Sequence, residues 1–132
     1  MTAPLSVQVD VAPGELIDKI TILQIKSERI SDADKLANIR AELETLVRSR
    51  ADAVPASQDL DGLTAELKSI NEKLWDIEDN IRDCERSDDF GPTFIDLARA
   101  VYRTNDVRAD LKRQINALLG AAFSEEKSYA AY

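Results

Sequence analysis

The 132 residues carry 25 acidic and 17 basic side chains, a formal charge of −8, and no histidine. That charge repels phosphate backbones and anionic headgroups, which argues against general nucleic-acid binding and membrane-surface attachment. Without histidine the commonest general base and metal ligand are missing, and every Ser-His or Cys-His nucleophile pair is excluded.

A chain of this length forms one domain with a sizeable core. With 44% hydrophobic but only 5% aromatic residues, that core is mainly aliphatic, and four Gly and four Pro leave little turn punctuation. Long helices with short connections are therefore predicted over 1–132, giving an all-α fold. The expected architecture is a four-helix antiparallel bundle or two helical hairpins. No stretch approaches the roughly 20 apolar residues of a membrane span, and no basic-then-apolar leader opens the chain, so no membrane insertion and a cytoplasmic location are expected. The lone Cys84 has no partner for an internal disulfide.

Leu5, Val7, Val9 and Val11 alternate with Ser6, Gln8 and Asp10, the period of a half-buried strand over 5–12. A single strand needs a partner chain, the C-terminal tail or a helical surface to lie on. Pro13 suits a first helical turn, and Leu16, Ile17, Ile20, Leu23, Ile25 and Ile30 place helix one at 14–30. Ser31 and Asp34 have capping-box spacing before helix two, which Leu36, Ile39, Leu43, Leu46 and Val47 carry to Arg50. The polar ADAVPASQ at 51–58 then reads as a loop.

The clearest period follows: Leu60, Leu63, Leu67, Ile70, Leu74, Ile77, Ile81 and Cys84 alternate three and four residues apart. This coiled-coil-type seam predicts one long third helix, a spine for the other segments. Cys84 completes that row as a small apolar side chain. After a turn at 87–92, Phe94, Leu97, Val101, Leu111, Ile115 and Leu118 mark helix four, ending before Gly120.

Helix four breaks its own seam at Thr104 and Arg108. If helices three and four run antiparallel, residue numbers summing to about 177 lie level, so Arg103 to Asn105 meet 72–74 and Arg99 meets Glu78. Charge agrees with that pairing, since 59–88 hold ten acids and four bases and 93–119 hold three acids and five bases. Two readings follow. Either Glu72, Glu78, Arg99, Arg103, Asn105 and Arg108 are structural bridges that fix register, or with Trp75 and Tyr102 they wall a polar pocket suited to an anionic ligand. Glu15 and Asp18, with Asp76 and Asp79, also place acids three apart on two helices, the spacing that would hold Mg²⁺ for a nucleotide phosphate; solvated faces with pairs such as Glu15–Lys19 and Glu78–Arg82 are the plainer explanation. Phe123, Tyr129 and Tyr132 make the tail aromatic enough to dock on its own bundle or to contact a partner.

The words PGELIDKITIL, NEKLWDIEDNIRDCE, VYRTNDVRADLKRQIN and EEKSYAAY together resemble an uncharacterised bacterial family of small helical proteins, over Pro13 to Tyr132 with 51–58 as the variable part. The resemblance implies a setting beside glycosyltransferases, sulfotransferases and tetratricopeptide-repeat proteins of surface-polysaccharide pathways, and no catalytic role. The expected function is a non-enzymatic, self-associating helical interaction or assembly module with no cofactor, accessory to glycan synthesis. The alternative from another class is a Mg²⁺-dependent or anion-binding enzyme acting on a nucleotide or sugar-nucleotide phosphate.

Overall fold

The structure, a computed structural model, describes residues 4–132 and contains four helices: α1 (Pro13–Arg29), α2 (Ala33–Ala53), α3 (Gln58–Arg86) and α4 (Pro92–Leu119). The all-α expectation holds, with two helical hairpins packed together through α1. No helix among the described residues is long and apolar enough to cross a membrane.

Local chemistry explains most of the boundaries. Pro13 opens α1, and the Ala12 carbonyl accepts the free amides of Glu15 and Leu16 at 3.0 and 3.3 Å. The cap of α2 is Asp32, whose carboxylate accepts from the Asp34 amide at 3.1 Å; the expected Ser31 cap sits one residue too early. The loop after α2 is shorter than expected, Val54 to Ser57 alone, because Ala51 to Ala53 continue the helix and Ser57 Oγ caps α3 by accepting from Leu60 N at 3.1 Å. Between α3 and α4, Asp88 takes a left-handed conformation at φ 53° and the Asp89 amide returns to the Cys84 carbonyl. Gly120, at φ 62°, closes α4.

The hub of the packing is α1. It touches α2, α3 and α4, α3 pairs with α4, and α2 touches α1 alone. This corrects the expectation that α3 is the spine for every other segment. The helix from Gln58 to Arg86 is continuous as predicted, but its apolar seam occupies one stripe, of which Leu60, Leu67, Ile77 and Cys84 are buried and the intervening residues half-buried. In α1, Ile17, Ile20, Leu23 and Ile25 are all buried and point to more than one side, so that short helix can be covered from both. Ile17 joins Leu60, Leu67, Leu111 and Ile115 in the central cluster. At 17 residues α1 stops near Asp76, leaving the distal part of the 29-residue α3 paired with α4 only. There Cys84 is buried, and Phe90 and Phe94 stack edge to face at 5.3 Å. Burial, with Asp89 and Asp83 nearby, pushes the Cys84 thiol up, so it stays protonated at neutral pH.

The first turn of α1 meets the last turns of α4 through Gly14. A Cβ there would lie 2.6 Å from the Lys112 carbonyl oxygen and 2.8 Å from Asn116 Oδ1, which accepts the Gly14 amide at 2.8 Å. Around Gly62, inside α3, a Cβ would meet nothing. Gly14→Ala is expected to destabilise the fold by about 1–3 kcal/mol through overpacking, whereas Gly62→Ala stabilises it by about 0.5–1 kcal/mol through helix propensity. Urea denaturation of the two variants checks the opposite signs.

Candidate functional site

The polar centre of the molecule is the carboxylate of Asp18, whose side chain is 2% exposed. Helical periodicity puts it on the same face of α1 as Gly14, Ile17 and Thr21, turned toward α3 and α4. Its Oδ1 accepts from Asn71 Nδ2 of α3 and from Arg108 Nε of α4, both at 2.9 Å. Its Oδ2 accepts from Arg108 Nη2 at 2.5 Å, which completes a two-pronged guanidinium–carboxylate pair. Asn71 Nδ2 also donates to Thr21 Oγ1 at 2.9 Å, and that hydroxyl donates to the Asp18 carbonyl at 2.7 Å. The hydrogen bond to Asp18 raises the Arg108 guanidinium above its already high value, so this cation is permanent.

One turn along α4, Lys112 is 8% exposed and donates to Glu15 at 2.7 Å and to Glu125 of the tail at 3.3 Å. Burial opposes its charge, but the hydrogen bond and charge of Glu15 outweigh that and hold it above the ordinary lysine range. The tail then runs back along α4. Asp106 accepts from Lys127 Nζ at 2.7 Å and from the Tyr132 hydroxyl at 2.6 Å, while the rings of Tyr132 and Tyr102 meet at 5.2 Å. Tyr129, 84% exposed, lies 5.4 Å from Lys127 Nζ.

Only part of the expected pocket comes together. Trp75, Glu78, Asn105 and Arg108 line one cleft of about 300 Å³, floored by Ile22, Ile25 and Leu74. Tyr102 lies on the other side of Asn105, in a second cleft of about 390 Å³ beneath the tail. Arg99 and Arg103 are exposed and form no ion pair among the described residues. Glu78 pairs with Arg82 at 3.4 Å, as its i,i+4 spacing suggests, and not with Arg99. Glu72 lies 4.0 Å from Arg29, whose guanidinium bonds Asp76 at 2.6 Å and approaches the Trp75 ring at 5.8 Å.

Three of the four acids of the Mg²⁺ arrangement are held by different cations, Glu15 by Lys112 and Asp18 by Arg108 of α4 and Asp76 by Arg29, and Asp79 is exposed. Among the described residues no three acidic or cysteine groups converge to hold a metal. Of the tail aromatics, Tyr132 docks on Asp106 and Tyr102 while Phe123 is 54% exposed. Sequence patterns missed Thr21, Asn71, Asp106, Lys112 and Asn116. Asn71 and Lys112 each follow an apolar seam position, Ile70 and Leu111, and that adjacency was the available signal.

Two expectations follow. Arg108→Ala leaves a buried carboxylate without its counter-ion, and unfolding free energy should fall by about 3–5 kcal/mol, with part regained when Asp18→Ala is added; denaturant titration of the single and double variants reads this. Docking of the tail should also depend on pH. Lys127 and Tyr132 hold the Asp106 carboxyl below its usual range, so that stabilisation is complete above ordinary carboxylate values and disappears as pH falls through the depressed one. Asp106 raises the Tyr132 phenol, so its contribution is complete below the ordinary tyrosine range and disappears as pH rises through the elevated value. The nuclear Overhauser contact between the Tyr102 and Tyr132 rings should persist across neutral pH and vanish at both extremes. Asp106→Asn should return the Tyr132 titration, read by phenolate absorbance, toward normal.

No curated protein and no solved structure matches the chain. A family model, described as a family of unknown function (DUF6165), matches residues 7–132. Its span takes in α1, both long helices and the tail segments that meet around Asp18 and Lys112, and the chain belongs to that family.

Proposed function

We propose that the chain is a non-enzymatic helical interaction module that self-associates through its N-terminal arm. The observation that supports this is the arm's exposure. Residues 4–12 are extended, with Leu5, Val7, Val9 and Val11 at 93, 76, 71 and 49% exposure, and no strand pairs with them among the described residues. An alternating apolar segment with unpaired backbone amides and carbonyls suits addition to another chain, because pairing satisfies the backbone and covers the valines together. The arm does not use either intramolecular option, since the tail is occupied on α4 and the valines do not lie against the helices.

The surface of α2 favours the same reading. None of its residues is fully buried, and Val47 is 43% exposed although the helix packs only on α1. The enzymatic alternative has less support, because Asp18 and Asp76 already hold Arg108 and Arg29. Glycan-synthesis proteins, the setting the resemblance implies, are the partner class we propose beyond self-association.

Sedimentation of the wild type should show a concentration-dependent oligomer. The double variant Val7→Asp, Val9→Asp should sediment as a monomer and melt where the dilute, dissociated wild type melts, because those side chains contribute nothing to the monomer core and only association adds stability. A wild-type monomer at all concentrations would sink the proposal.

A further inference from the structure

The cleft beneath the tail has a feature that neither packing nor self-association uses. It holds about 390 Å³, within the range of small-ligand sites, and three cations line it: Arg108, Lys112 and Lys127. Lys112 is 8% exposed and was therefore desolvated when the chain folded. Two of these groups have donors to spare. The bonds from Arg108 to Asp18 use Nε and Nη2 and leave Nη1, and Lys112 has three protons for two acceptors. Asn105, one turn before Arg108 on α4, has no side-chain hydrogen bond among the described residues. Tyr102, Tyr129 and Val101 supply an apolar wall.

Two carboxylates share that lining, Asp106 and Glu125. Asp106 is fixed in α4, whereas Glu125 is carried by the tail and reaches Lys112 at the longer distance, 3.3 Å against 2.7 Å for Glu15. The contact to Glu125 is the longer of the two and comes from the tail, so another anion can take its place while Glu15 keeps its bond to Lys112 and the helices stay as they are. Each of the three cations also holds a carboxylate that stays in place, Asp18 on Arg108, Glu15 on Lys112 and Asp106 on Lys127, so with Glu125 withdrawn the cluster is neutral and an entering anion restores the charge that Glu125 supplied.

We infer that this cleft binds a small organic anion, a carboxylate or phosphate group on an apolar or aromatic body. Its charged group replaces Glu125 on Lys112 and takes the free donors of Arg108 and Asn105, with its body against Tyr102 and Tyr129. Glu125 acts as the built-in occupant that such a ligand displaces.

Phenyl phosphate and benzoate are the probes, with phenol as the neutral control, each titrated into the full chain while the Asn105 side-chain amide is followed by NMR. At least one anion should shift that amide saturably below about 10 mM while phenol does not. Glu125→Gln should tighten binding by about fivefold or more, because the competing carboxylate is gone and a charge-assisted bond of roughly 1 kcal/mol or more no longer has to be displaced. Lys112→Met should abolish it, and if that variant does not fold, Lys127→Met, at an exposed position, should weaken it severalfold. Which probe binds more tightly identifies phosphate or carboxylate as the source. Absence of a saturable shift in Glu125→Gln with either anion, or equal affinity in that variant and the wild type, would overturn the inference.

Discussion

The structure depends on one buried charge. Burying the Asp18 carboxylate costs several kcal/mol that only a well-formed set of partners can offset, and those partners come from two other helices, Asn71 on α3 and Arg108 on α4, with Thr21 of α1 accepting from Asn71 beside it. The aliphatic contacts around it do not discriminate in this way. Ile17, Ile20 and Ile25 would find some apolar surface if α1 slid by a turn or rolled along the groove between α3 and α4, but the carboxylate would then lose every donor. The ion pair thus selects one position of α1 from several that the hydrophobic effect alone would accept, the role buried polar groups play in helical assemblies. The Gly14 contact reinforces it: the turn before Asp18 sits so close to α4 that only a residue without Cβ fits.

This explains why the apolar seam of α4 is broken where it is. Thr104 and Arg108 interrupt a row that Leu97 and Val101 begin and Leu111 and Ile115 resume, and the interruption lies level with Asp18 and Asn71. The break in α4 and the buried acid in α1 are two halves of one feature, 90 residues apart in the chain.

That separation marks the limit of what the sequence alone discloses. Helices announce themselves through periodicity, a local property, so all four were legible to within a turn, and the heptad row placed α3 against α4. The same row overstated the role of α3, because regular spacing signals one good face and says nothing of how many neighbours a helix has. The four closely spaced isoleucines of α1, Ile17, Ile20, Ile22 and Ile25, were the quieter mark of a helix covered on two sides. Level-matching of antiparallel helices puts Arg103 to Asn105 beside 72–74, and Asn105 does line a cleft with Leu74, but such matching fixes height and not direction around the axis. Arg99 and Arg103 are exposed, whereas Arg108 turns inward to an acid that no pattern within one hairpin could supply.

Charge is distributed so that this interior pairing and an outward association are compatible. The cations of α4 that turn inward are neutralised by acids of α1 and of the tail, which leaves the acid excess of α3 on the surface, where copies of the chain repel one another. The arm is the exception, with Asp10 its only formal charge over residues 4–12. Extended at about 3.3 Å per residue, nine residues reach roughly 30 Å, several times the screening length of about 8 Å at physiological ionic strength. Contact made through the arm can therefore form while the acidic bodies stay beyond each other's field, a separation that direct packing of α2 or α3 faces would not allow.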